Sequence, residues 1–290
     1  MPAEKKTVVK PTRQATAIYE NWKVYSMHGK LMFRCNRKKA EWYLKRQLAK
    51  PCEHDQHAIQ LTFETKGQGH DEEDYMLEDR ENHCVVCASQ NGLTLHHVVP
   101  YVYRQWFPLS IKSKSSRDLL LLCKVCHDRY ERHATAFKKQ IAAEYDIPLE
   151  GKGWIKCPEN RTARKAAAAL LWSHHADRIP ADRREALAET VKNFWRSYAV
   201  ANEEQNLAWE DILKRCCDLK DVYPGPDFME HGRGVTKRLI KNMRLDPDTG
   251  KERWPELEEF IKAWRSHFVK HSQPRHLSTR WTVDGEIYND

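Results

Sequence analysis

Four cysteines stand in two matched pairs, Cys84-Val85-Val86-Cys87 and Cys123-Lys124-Val125-Cys126. A C-x-x-C turn aims two thiolates at one point, and two such turns make the tetrahedral four-thiolate shell of a closed structural zinc site. A redox dithiol would need a single pair at a helix start in a thioredoxin-like pattern. Zinc is therefore the reading, with Cys84, Cys87, Cys123 and Cys126 as its ligands. In small peptides such a site contributes roughly 10–16 kcal/mol, enough to hold a module with little core of its own. Four thiolates leave no open coordination position, so the zinc is a staple and any chemistry must lie elsewhere. Cys35, Cys52, Cys157, Cys216 and Cys217 lack this pairing and read as ordinary thiols.

Between the pairs lies Leu93-Thr94-Leu95-His96-His97-Val98-Val99-Pro100; the second pair follows Arg117-Asp118-Leu119-Leu120-Leu121-Leu122 and continues as His127. Adjacent residues of an extended segment point to opposite sides, so His96 and His97 cannot share one job. One can bind a metal while the other activates water, and imidazole titrates near neutrality, which suits a base. The plain alternative is that both fill the core. Glu131 is one helical turn after His127, on the same face, and is a candidate third ligand. A surface ion pair to Arg132 or Lys138 is the competing reading, and His133 lies off that face. Arg104, Lys112, Lys114, Arg117, Lys124 and Arg129 surround these residues in sequence and suit sequence-independent contacts to backbone phosphates. Tyr103 and Trp106 are candidates for stacking on bases, with burial the preferred reading.

Taken in order, C-x-x-C, L-x-H-H-x-x-P and D-L-x-L-L-C-x-x-C-H resemble the zinc-ribbon branch of the HNH (ββα-metal) endonucleases. The resemblance implies a ββα-metal core over residues 82–145, with His96 and His127 as ligands of Mg2+ or Mn2+ and His97 as general base. It implies hydrolysis of phosphodiester bonds that leaves 5′-phosphate and 3′-hydroxyl ends. Asp118 stands where that family has an Asn that orients the base or tightens the loop. An ionised Asp accepts hydrogen bonds but cannot donate them. This departure favours a second reading, a zinc-stabilised nucleic-acid-binding or assembly module without catalysis; a third is a protein-binding adaptor built on the helices of residues 162–271.

A longer resemblance begins at Arg34-Cys35-Asn36-Arg37-Lys38-Lys39-Ala40-Glu41-Trp42-Tyr43-Leu44 and includes Glu81-Asn82-His83-Cys84, Val99-Pro100-Tyr101-Val102-Tyr103-Arg104-Gln105-Trp106-Phe107-Pro108 and Gln273-Pro274-Arg275-His276-Leu277. These segments look like the region after the exonuclease domain in the exonuclease 3′-5′ domain-containing protein 2 family, and the likeness covers most of residues 20–285. The DEDD-type exonuclease domain has no counterpart, so exonuclease activity is not implied. Nucleic acid is the implied partner, DNA ahead of RNA.

The elements that must position these residues read as an α+β chain. Residues 1–17 read as a flexible tail and 18–66 as a ββαβ unit: a hairpin around Met27-His28-Gly29-Lys30, a helix capped by Asn36 and closed by Pro51, then a strand from Ala58. Residues 67–81 form an acidic linker through Asp71-Glu72-Glu73-Asp74, where a solvated face is the plainer reading than a metal site. A helical subdomain is expected over 160–272, packed on the ribbon and widening the substrate groove, then a tail over 273–290. In it, Pro224-Gly225-Pro226 reads as a break, and Leu257, Phe260, Ile261, Trp264 and Phe268 recur at helical spacing. The net charge of +8 and mean hydropathy of −0.80 are compatible with a polyanionic partner and with several small cores. No apolar stretch spans a bilayer and no secretory signal opens the chain, so a reducing intracellular compartment, without membrane association, is the expectation.

Overall fold

The N-terminal hairpin forms where apolar residues flank a glycine turn. In the computed structural model, which describes residues 17–65, 74–112, 117–171, 179–201 and 207–288, β1 (Trp22–Tyr25) pairs antiparallel with β2 (Leu31–Cys35), and Gly29 takes a left-handed φ of 84° between them. Asn36 caps α1 (Arg37–Lys45), its side chain accepting from the Lys39 amide at 2.9 Å. Pro51 does not close that helix. It lies in an additional strand, β3 (Ala49–Cys52), beside β4 (Asp55–Leu61) in a sheet of order β2-β1-β4-β3. Edge strands tolerate a residue without an N–H, which is why Pro51 fits there. The ββαβ unit thus carries one more strand than expected, over a core of Val24, Ala40, Ala49, Ile59 and Leu61. Residues 1–16 and Asp71, Glu72 and Glu73 of the acidic run lie outside the described residues. What is described of the expected linker, residues 74–81, is docked: Tyr75 and Leu77 are buried, and Asp74 accepts two hydrogen bonds from Arg117 at 3.1 Å.

The ribbon follows as β5 (Leu93–His97), α2 (Tyr101–Arg104), α3 (Leu109–Lys112), β6 (Leu119–Cys123) and α4 (Lys124–Glu144). β5 and β6 pair antiparallel from Leu93↔Cys123 to His97↔Leu119. Leu120, Leu121 and Leu122 are all buried, so β6 is covered on both faces, as its unbroken apolar run requires.

The structure divides the expected 160–272 subdomain between two compact units, 150–231 and the rest of the chain. Within 150–231, β7 (Lys152–Lys156) precedes α5 (Pro158–Leu171), α6 (Ala181–Ala201) and α7 (Trp209–Cys217), whose shared core includes Ala166, Ala167, Val191, Trp195 and Leu213. Pro224-Gly225-Pro226 is no break: it runs inside β8 (Val222–Met229), which pairs with β7. A two-stranded ribbon leaves one edge of each strand without a partner, and Pro is accommodated there. Burial pushes the Cys216 thiol up to about 11, as expected of an inert structural thiol.

From Gly232 the chain returns to the ribbon's unit through α8 (His231–Leu239), the small hairpin β9 (Arg244–Leu245) and β10 (Glu252–Arg253), and α9 (Pro255–Ser272). Pro255 opens α9 and the left-handed Gln273 ends it. Leu257, Phe260, Ile261, Trp264 and Phe268 line its buried face, in one core with Tyr130, Ala134 and Ile141 of α4. Buried among them, the Arg265 guanidinium donates to both Asp118 carboxylate oxygens at 2.8 and 3.1 Å. It also donates to the carbonyls of Val283, Gly285 and Glu286. Trp281, Ile287 and Tyr288 are buried too, so residues 281–288 strap the core instead of trailing as a tail. Among the described residues no helix is long and apolar enough to cross a membrane.

Two expectations follow. Arg265→Met leaves a buried carboxylate unpaired and is expected to cost about 3–5 kcal/mol in urea unfolding; adding Asp118→Leu should recover part of it, and no recovery would assign the loss to the carbonyl contacts. His267 on α9 is pushed down to about 4 by burial and by the positive charges of His271, His133 and Lys270. Its unfolded form takes up a proton near pH 6.5 that the folded form refuses until about pH 4, so stability falls as pH drops through that window. The loss of melting temperature between about pH 7 and pH 4.5 should be smaller in His267→Gln than in the unchanged protein.

Candidate functional site

The paired cysteines converge. The sulfur atoms of Cys84, Cys87, Cys123 and Cys126 all lie within 4.8 Å of one another, with Cys87 Sγ and Cys123 Sγ 3.7 Å apart. Tetrahedral Zn–S bonds of about 2.3 Å place sulfurs about 3.8 Å apart, so donor set and spacing fit structural zinc. The first knuckle closes through the Ala88 amide on the Cys84 carbonyl, and the Val85 amide ties it to Leu121 of β6. The second knuckle is the junction of β6 and α4, so one ion would fix a strand pair to a helix start.

A second donor set is built from β5 and α4. Alternation along β5 puts Thr94 and His96 on the face toward α4, and His97 on the other. His127 lies in the first turns of α4 and Glu131 one turn later. His96 Nδ1 and His127 Nε2 are 3.1 Å apart, and Glu131 Oε1 is 3.9 and 3.8 Å from them. Two bonds of about 2.1 Å at a right angle span about 3.0 Å, so the pair fits one ion. The competing reading of Glu131 is present as well, since its other oxygen faces Lys138 Nζ at 3.6 Å.

The protonation pattern suits ligation. Thr94 Oγ1 donates to the Leu122 carbonyl at 3.0 Å, so it must accept from His127 Nδ1 at 2.8 Å. That leaves the His127 Nε2 lone pair directed at His96. Burial, with the charges of His127 and His97 beside it, pushes His96 down to about 3, so its ring is neutral at about pH 7. Tyr130 and Phe268 enclose that ring, with Phe268 stacked at 5.6 Å. Nothing in the sequence marked Thr94, Tyr130 or Phe268 as part of this site beyond one cue. The one available signal was Thr94 standing two residues before His96, on the same strand face.

His97 occupies different surroundings. Arg104 Nη2 lies 3.1 Å from His97 Nε2; a guanidinium only donates, so Nε2 holds the lone pair. Burial first, then the Arg104 charge, lower the His97 pKa, which keeps the ring neutral at about pH 7. Asp118 is not beside His97 as a hydrogen-bonding base partner. Its carboxylate is committed to Arg265, while its carbonyl accepts from the Val98 amide at 2.9 Å. Arg117 is buried against Asp74, which removes it from the phosphate-facing set. Lys112, Lys124 and Arg129 are exposed, and Lys114 lies outside the described residues. Tyr103 is fully buried.

Known proteins are similar to this chain in sequence. Exonuclease 3′-5′ domain-containing protein 2 of Homo sapiens is 30% identical over 270 residues, 92% of this chain and 40% of its own length. The Drosophila melanogaster protein of that description is 28% identical over 271 residues, covering 92% of this chain and 43% of its own. The chain is homologous to the C-terminal region of exonuclease 3′-5′ domain-containing protein 2. It spans about two-fifths of the length of these curated relatives. Protein RRP6-like 3 of Arabidopsis thaliana is 34% identical over 225 residues, 70% of this chain and 25% of its own length. No protein-family profile matches the chain, and no solved structure matches it.

Thr94 gives the site a specific test. Thr94→Val keeps the shape but removes the acceptor that holds His127 in its ligating tautomer. Groups that orient a ligating histidine are worth about 10–100-fold in metal affinity. A loss of that size in Mn2+ titration calorimetry is expected, with zinc content unchanged; unaltered affinity would show that the tautomer needs no such support.

Proposed function

We propose that this chain is a metal-dependent endonuclease that hydrolyses phosphodiester bonds in DNA through an HNH-type site beside a structural zinc. The observation that carries the reading is the approach of His96 Nδ1 to His127 Nε2 at 3.1 Å, next to Glu131, with His97 on the opposite strand face. His96, His127 and Glu131 would hold Mg2+ or Mn2+. Such an ion, when bound, supplies Lewis-acid stabilisation of the charge that develops on the leaving 3′-oxygen.

The chain's own groups do the rest. His97 Nε2 takes a proton from water as the new bond from the water oxygen to phosphorus forms and the bond to the 3′-oxygen breaks. The ends are then 5′-phosphate and 3′-hydroxyl, the latter completed by a solvent proton. Arg104 now occupies the His97 lone pair. A backbone phosphate competes for that guanidinium through stronger, charge-assisted bonds. Substrate binding therefore frees the base at the moment it is needed. Exposed Lys112, Lys124 and Arg129 add sequence-independent phosphate contacts. Homology to part of exonuclease 3′-5′ domain-containing protein 2, an exonuclease-domain protein by its description, supports nucleic acid as the partner.

The alternative is a zinc-stabilised nucleic-acid-binding or assembly module without catalysis, and the withdrawal of Asp118 into its pair with Arg265 is the observation on its side. Cleavage of supercoiled plasmid with Mg2+, with Mn2+ or without added divalent ion separates the two. The expected result is metal-dependent nicking that falls by about 10²–10⁴-fold in His97→Ala, the usual contribution of a general base, with zinc content retained. Binding without cleavage in either metal would favour the module instead.

A further inference from the structure

Beside His97, α2 and the turn after it carry two rings that the core does not use. Tyr101 is 63% exposed and Trp106 36% exposed, while Tyr103 between them is fully buried. Each exposed ring lies under a guanidinium: Arg104 is 5.8 Å from the Tyr101 centroid, and Arg233 is 5.4 Å from that of Trp106. The arrangement is held from below. A Cβ at Gly232 would collide with the Val102 carbonyl, so only glycine lets α8 approach α2 this closely. That contact places the next residue, Arg233, over Trp106. Arg104 joins the rings to the chemistry, because the same guanidinium that covers Tyr101 contacts His97 Nε2.

We propose that Tyr101 and Trp106, with Arg104 and Arg233, form a stacking flank for unpaired bases, and that the substrate strand at this site is single-stranded nucleic acid. The inference rests on the endonuclease reading only for the fate of the bound strand. Aromatic faces interleaved with cations match what a single strand offers, exposed base planes and a polyanionic backbone. In a duplex the base planes are stacked on one another and closed to a ring outside the helix. A docking surface for an apolar protein partner would instead present a continuous apolar patch, not rings under guanidinium groups. Stacking also tolerates any base, in keeping with the phosphate-directed cations nearby.

The test is fluorescence anisotropy of the full chain, without added divalent ion, on a fluorescein-labelled mixed-sequence oligodeoxynucleotide, its duplex and the RNA of the same sequence. Both single strands, DNA and RNA, should bind more tightly than the duplex. Tyr101→Ala and Trp106→Ala should each weaken that binding about tenfold, within the range of one base stack, and leave duplex binding within about twofold. Tyr101→Phe, which keeps the stacking face, should restore it, and circular dichroism with zinc analysis checks that each variant is folded. A duplex bound as tightly as the single strands, or alanine variants that bind the single strands unchanged, would overturn the proposal. Cleavage is read separately: stacking-dependent binding with no cleavage by the unchanged protein would remove the endonuclease reading and leave this surface standing.

Discussion

The site depends on the register of a single strand pair. Leu93–His97 lies against Leu119–Cys123, and Thr94, His96 and His97 take their directions from that ladder. A slip by one residue would turn His96 toward the Arg104 side and His97 toward α4, because side chains alternate with a period of two. The register is clamped at both ends. At one end the four thiols gather the knuckles. At the other, the Val98 amide on the Asp118 carbonyl continues the pairing, while the Asp118 carboxylate is held by Arg265.

That second clamp explains the residue that departs from the HNH pattern. An Asp at position 118 brings a charge into the core, and a buried charge is tolerated only when paired. Arg265 meets it with two hydrogen bonds and spends its remaining donors on carbonyls of the final strap. One guanidinium thus joins the end of β6 to α9 and to the C-terminal residues. The same helix sends Phe268 onto the His96 ring. The region after residue 231 is therefore part of the candidate site's wall, and the ββα core alone would leave His96 open to water.

The two histidines of the central pair are both neutral at about pH 7, for different reasons and different ends. His96 is neutral because it is buried, and its Nδ1 faces the lone pair of another imidazole. His97 is half-buried and neutral beside a permanent cation, which holds its lone pair. Local environments have divided one repeated residue type into a ligand-like and a base-like member, as acid–base sites commonly do with carboxylates.

Spacing alone determined the zinc-type knuckles, the strand–helix order of the ribbon, the opposed directions of His96 and His97 and the amphipathic α9, since C-x-x-C turns, period-two alternation and helical spacing are local rules. The Glu131 position was legible in the same way, as one turn beyond His127. Tertiary structure alone decided the rest. It committed Asp118 to Arg265 and Arg117 to Asp74, partners that sequence cannot reveal because they lie far apart along the chain. It enlisted Thr94 to fix a tautomer, drew Trp281, Ile287 and Tyr288 into the core and gave α8 and α9 to the ribbon. These are outcomes of burial: a charge or an aromatic ring taken from water must find its partner wherever the fold brings one, and no local pattern records where that will be.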